Sequence, residues 1–189
     1  MTRADFPLPG DLPVPLDDGA ADHLTGMVLP DLELRATNGQ TVRLSALPGP
    51  RTVVYLYPMT GRPGTPLPEG WDQIPGARGC TPESCGFRDH HAALAGTGAH
   101  VYGLSSQDTA YQAEAVQRLQ LPFSILSDPG LELAAALSLP TFDAGTGPLY
   151  KRLTLVVADG RIEHVFYPIF PPDEHAGEVL DWLGTHSVA

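Results

Sequence analysis

Residues 79–94 read GCTPESCGFRDHHAAL and hold the chain's only two cysteines, Cys80 and Cys85. Thr81 is a helix-capping residue type, Pro82 suits a first helical position, and Glu83 suits the positive end of a helix dipole. Phe87, His91 and Leu94 then fall on one face, and Gly96 closes the run. The spacing predicts one helix from about Thr81 to Gly96. Before it, Thr52–Tyr57 (TVVYLY) is apolar on both faces, as a central strand is. After it, His100–Leu104 reads as a second strand.

The alternation continues outward. A helix from Asp108 or Thr109 to Leu119, a strand over Phe123–Leu126 and a helix over Leu131–Leu137 follow. Asn38-Gly39 joins Asp31–Ala36 to Thr41–Leu44 as a hairpin, and Asp159-Gly160 joins Tyr150–Val157 to Arg161–Tyr167. A last helix starts near Asp173 and runs through Val179, Leu180 and Leu183. Strand–helix alternation between two hairpins gives an α/β fold with a mainly parallel central sheet flanked by helices. Residues 1–26, with prolines at 7, 9, 13 and 15, read as an extended arm, and residues 27–187 as one domain. The Pro- and Gly-rich stretch from Pro58 to Gly79 is a long loop of the kind that carries function.

The totals limit the partners. The 189 residues are 42% hydrophobic and carry a formal net charge of −11. That balance argues against nucleic acid and anionic membrane surfaces. No apolar run is long enough to span a bilayer, and the N-terminal residues lack the apolar stretch of a signal peptide. The expected location is the cytoplasm, where thiols stay reduced. A cysteine pair there points to catalysis or metal binding rather than a static brace.

Cys80 sits at the mouth of the helix, where free N–H groups and the dipole stabilise a thiolate, and Arg78 adds positive charge nearby. Cys85 lies inside the helix, with its Cα roughly 8–9 Å from that of Cys80 by helix geometry. A disulfide needs about 4.4–6.8 Å, so the pair closes only if the first turns unwind. Gly86, a poor helix former, stands where that unwinding would occur. A bond that needs local unfolding suits a catalytic cycle. The residues alone also admit two buried inert cysteines. Zinc held by Cys80, Cys85, His90 and His91 is a further reading, although the spacing fits no common zinc pattern. The Cys-x-x-Cys of dithiol exchange is absent.

Four stretches together resemble the peroxiredoxins, in the bacterioferritin-comigratory or Q-type class. They are VLPDLELRATNGQTVRLSALPGPRTVVYLYP, GCTPESCGFRDHHAAL, VYGLSSQ with LPFSILSDP, and KRLTLVVADGRIEHVF, within residues 26–185. The resemblance implies a thioredoxin-like fold and peroxide reduction without metal or organic cofactor. It makes Cys80 the peroxidatic and Cys85 the resolving cysteine. Arg152 becomes the arginine that supports thiolate and peroxide, and Pro58 the proline that opens the active-site loop. It implies a Cys80 sulfenic acid, an intramolecular Cys80–Cys85 disulfide, and thioredoxin or a similar dithiol protein as reductant. A monomer suffices for that cycle, with a weak dimer left open.

One departure stands out. The class carries Thr or Ser three residues before the first cysteine, where this chain has Ala77. The loop is also longer by about fifteen residues, as an insertion over about 61–78. Thr60 is the first substitute for the missing hydroxyl, and Thr65 the second. Two other functions therefore stay open: dithiol–disulfide exchange on protein substrates, and a non-catalytic redox-sensing module.

Overall fold

The structure is a computed structural model and describes residues 7–186. Residues 1–6 of the expected arm, and residue 187 at the expected domain end, lie outside the described residues. Strand β1 (Glu33–Ala36) turns at Asn38-Gly39 into β2 (Thr41–Arg43), and β3 (Arg51–Leu56) follows. Helices α1 (Cys80–Asp89) and α2 (His91–Gly96) lead to β4 (Ala99–Ser105). Then come α3 (Thr109–Leu119), β5 (Ile125–Ser127) and α4 (Glu132–Leu137). A small hairpin of β6 (Thr141–Asp143) and β7 (Pro148–Tyr150) precedes β8 (Leu153–Ala158), β9 (Arg161–Phe166) and α5 (His175–Thr185).

Among the described residues the main sheet has the order β2-β1-β5-β4-β3-β8-β9. Strands β3, β4 and β5 are parallel, with Val54 opposite Tyr102 and Leu104 opposite Leu126. The flanking hairpins add antiparallel strands at both sides. Strand β3 is buried along its whole length because side chains alternate between two cores. Val54 and Leu56 join Leu104, Leu155 and the α4 residues Leu133 and Leu137 on one face. Val53, Tyr55 and Tyr57 join Phe87, Leu94, Val179 and Leu183 on the other, beneath α1, α2 and α5. This is the thioredoxin-like mixed sheet with its N-terminal hairpin.

The structure corrects the sequence-based boundaries in three places. The helix at the cysteines begins one residue before Thr81. Gly79 is the N-cap, in a left-handed conformation at φ 111°, and Cys80 is the first helical residue. A side chain at Gly79 would also collide with Pro172, whose Cγ lies 2.3 Å from the ideal Cβ position. The helix is then divided at His90, where φ −93° and ψ 0° leave the helical region. The His90 ring meets the Gly86 carbonyl at 3.0 Å, competing for a helical acceptor. Lastly, the expected strand over Tyr150–Val157 is broken. Tyr150 ends β7, the Lys151 N–H donates to the Pro140 carbonyl, and β8 begins at Leu153. Arg152 stands in that break.

The arm residues from 7 onward form neither helix nor strand, yet Ala21 and Leu24 enter the main core. The insertion is ordered too. Trp71 begins a short 3-10 turn, Trp71–Gln73, and packs with Ala77 and Leu149 against Met59, Leu67, Ile74 and Phe142.

Candidate active site around Cys80

Gly79 delivers Cys80 to the N-terminal end of α1. The Glu83 N–H is the first intrahelical donor there, to the Gly79 carbonyl at 3.0 Å, so the Cys80 and Thr81 N–H groups stand outside the helical ladder. Cys80 is 4% exposed and Cys85 is fully buried, and both are free thiols. The break before β8 brings Arg152 over the sulfur: its Nη2 lies 3.2 Å from Cys80 Sγ. The same Nη2 faces the carbonyls of Ala77 at 3.2 Å and Arg78 at 3.3 Å. Two protons thus serve three acceptors, and the sulfur is one of them. The Met59 N–H, in the loop that opens at Pro58, also favours the thiolate.

Beneath the guanidinium, Nη1 of Arg152 donates to Glu83 on the first turn of α1. Both side chains are almost wholly removed from solvent. Glu83 Oε1 and Arg152 Nε are buried without a hydrogen-bond partner. Burial is the main influence on the Cys80 thiol and pushes its pKa up. Arg152 and the Met59 N–H oppose that rise, and Glu83 adds to it. Burial also raises the Glu83 carboxyl, against the pull of Arg152. Burial works against the Arg152 charge, but Cys80 and Glu83 outweigh it, and its pKa is raised. The sulfur's ionisation is therefore a balance between burial and one arginine.

The remaining sequence expectations fall at different distances from this centre. Pro58 is buried two residues after the end of β3. Thr60 is tied to Gln107, with its N–H at 2.9 Å and its hydroxyl at 3.2 Å from Gln107 Oε1, and its carbonyl accepts from Gln107 Nε2. Its hydroxyl is thus turned to Gln107, and the cavity beside Cys80 is lined by Thr65 instead. The Arg78 side chain lines that cavity as well, but its Nη1 donates to Asp72 at 2.9 Å. Cys85 lies in the aromatic core with Tyr55, Tyr57 and Phe87. Among the described residues no three His, Cys, Asp or Glu side chains are grouped to hold a metal ion, so the Cys80, Cys85, His90 and His91 set is not assembled.

Ala77 now has a physical reason. It is fully buried against Trp71 and Leu149, where a hydroxyl would sit in apolar surroundings. Its carbonyl also accepts from the Cys80 thiol at 3.6 Å. Two residues escaped the sequence reading. Glu83 was legible only as a helix-dipole acid; its i+3 spacing from Cys80 was the available signal, since that places both on one helix face. Gln107 gave no signal.

A shielded thiol at a helix mouth, paired with an arginine on a thioredoxin-like sheet, is the arrangement of a redoxin, and residues 24–180 match the Redoxin family. The chain is 33% identical to peroxiredoxin Q, chloroplastic, of Oryza sativa subsp. japonica over 84% of its own length and 65% of the relative's. It is 31% identical to peroxiredoxin Q, chloroplastic, of Sedum lineare over 84% of its length and 76% of the relative's. The crystal structure of peroxidoxin BcpB from Mycobacterium tuberculosis superposes with a TM-score of 0.70 at 27% identity, over 88% of this chain and all of that one. The chain belongs to the redoxin family, on its Q-type peroxiredoxin branch.

Proposed function

We propose that the protein is a thiol-dependent peroxidase that reduces hydrogen peroxide and organic hydroperoxides with Cys80. The observation that carries this reading is the contact between Arg152 Nη2 and Cys80 Sγ at 3.2 Å, in a nearly dry site beside a cavity. A guanidinium so placed stabilises the thiolate, and it stabilises the charge that develops as the peroxide bond breaks.

The Cys80 thiolate attacks one peroxide oxygen, the O–O bond breaks, and water or an alcohol leaves after taking up a proton. Sulfur is oxidised by two electrons to sulfenic acid. The first turns of α1 then unwind. The Cys85 thiol attacks the sulfenic sulfur, a disulfide forms within the chain, and water leaves. A thioredoxin-like dithiol protein exchanges with that disulfide and restores both thiols. The cycle needs no metal or organic cofactor and no second subunit, and a cytoplasmic setting would keep both thiols reduced between turnovers.

The test is intact mass with peptide mapping after one equivalent of hydrogen peroxide is added to reduced protein. The expected result is fast loss of two hydrogens and a Cys80–Cys85 crosslink within one chain. In Cys85→Ser the reaction should stop at one added oxygen on Cys80. Oxidation no faster than that of a free thiol would sink the peroxidase and favour exchange or sensing.

A further inference from the structure

We infer that the insertion selects organic hydroperoxides that carry a carboxylate, and that Arg62 and Arg118 hold that carboxylate; the inference rests on the peroxidase reading of Cys80. The cavity beside Cys80 has a volume of about 530 Å³. Hydrogen peroxide, two oxygens in size, fills roughly 60 Å³ on the scale of a water's ~30 Å³. The cavity is therefore of the size that takes an organic ligand, about 300–1,000 Å³.

Its walls have two characters. Leu8, Met59, Leu67, Trp71 and Pro82 are apolar. Arg62, Arg78 and Arg118 are cationic, and among the described residues no Asp or Glu lines the space. Three of the chain's 11 basic residues thus meet in one cavity of a protein with net charge −11. Their existing partners do not cancel them. Arg78 is matched one to one with Asp72. Among the described residues Arg62 and Arg118 share a single carboxylate, Glu114, at 3.5 Å and 2.7 Å. That leaves one positive charge in excess at one end of the cavity. Both guanidiniums are positioned: Arg62 stacks over the Tyr111 ring at 3.9 Å, and Arg118 Nη2 donates to the Gly61 carbonyl at 3.0 Å. An apolar body with an anionic end fits this pattern, and the fixed forks of arginine suit a carboxylate.

The chemistry at sulfur is unchanged by this end group. The O–O bond still breaks, the alkoxide takes a proton to become an alcohol, and the carboxylate leaves intact on the product. The arginine charge places the peroxide through its carboxylate and offsets the repulsion between that carboxylate and the Cys80 thiolate.

The experiment measures second-order rate constants for Cys80 oxidation by hydrogen peroxide, by a medium-chain hydroperoxy carboxylic acid, and by the methyl ester of that acid. The acid is expected to react about tenfold faster than the ester at low salt, equivalent to ~1.4 kcal/mol. The acid-to-ester ratio should fall toward one in Arg62→Gln and with added salt, and Arg62→Lys should keep part of it. Oxidation by hydrogen peroxide with equal acid and ester rates would overturn this inference alone. A ratio that survives Arg62→Gln combined with Arg118→Gln would also overturn it. No reaction with any of the three would overturn the peroxidase reading and this inference with it.

Discussion

Glu83 and Arg152 are 0% and 2% exposed in their side chains, so neither can lose the other cheaply. Breaking a buried ion pair from one side leaves a bare charge and costs about 3–5 kcal/mol. Arg152→Met should therefore destabilise the fold by that order. It should also slow Cys80 oxidation by roughly ten- to a hundred-fold, because a hydrogen bond to a charged group is worth about 1.5–3 kcal/mol. The double variant Arg152→Met with Glu83→Gln separates the two effects. Chemical unfolding should show stability partly regained, while stopped-flow oxidation stays slow. Recovery of the rate along with the stability would make Arg152 a structural residue only.

At the scale of elements, α1 has to be both firm and openable. Gly86 serves both needs: its ideal Cβ position lies 3.4 Å from Ala176 Cβ, so its small size lets α1 sit close on α5. Glycine also weakens a helix by about 0.5–1 kcal/mol relative to alanine. Gly86→Ala is expected to leave the first oxidation of Cys80 unaltered and to slow disulfide closure several-fold, read by trapping the sulfenic acid at timed intervals. Unchanged closure would show that α1 opens elsewhere. The run Thr52–Tyr57, the Asn38-Gly39 and Asp159-Gly160 turns, and the Asp108 cap, whose carboxylate accepts from Tyr111 N–H at 2.7 Å, were all legible because local chemistry decides them. The division of the helix at His90 and the break before β8 were not, because ring-to-carbonyl bonding and the β6–β7 hairpin decide them. The helix-mouth position of Cys80 was legible from the residues, and the meeting of Arg152 with its sulfur only through resemblance. Glu83 was hidden because its burial depends on Arg152, a residue 69 positions away in the chain.

Across the whole molecule, the N-terminal arm is tied to the body by Asp18. Its carboxylate accepts from Lys151 Nζ at 2.7 Å and from the Tyr167 hydroxyl at 2.7 Å. The Lys151 hydrogen bond first, then that of Tyr167, hold the Asp18 carboxyl well below the usual carboxylate range. A depressed folded pKa means the tie is complete above the unfolded value, about 3.9, and is lost as pH falls through the folded value. Hydrogen exchange of the amides around Asp18 should therefore rise, after correction for intrinsic rates, as pH drops below about 4. Asp18→Asn should show raised exchange already at neutral pH and lose that acid dependence. An arm equally protected in both would place its attachment in Ala21 and Leu24 alone.

The arginine that meets the Cys80 sulfur lies 72 positions later in the chain. At roughly 5–20 residues per second, a ribosome makes Cys80 several seconds before Arg152. During that interval, in every round of synthesis, the cysteine lacks its cation, and α1 lacks the α5 surface on which it rests. The contact between this thiol and its arginine is thus completed late in translation, by the C-terminal third of the polypeptide.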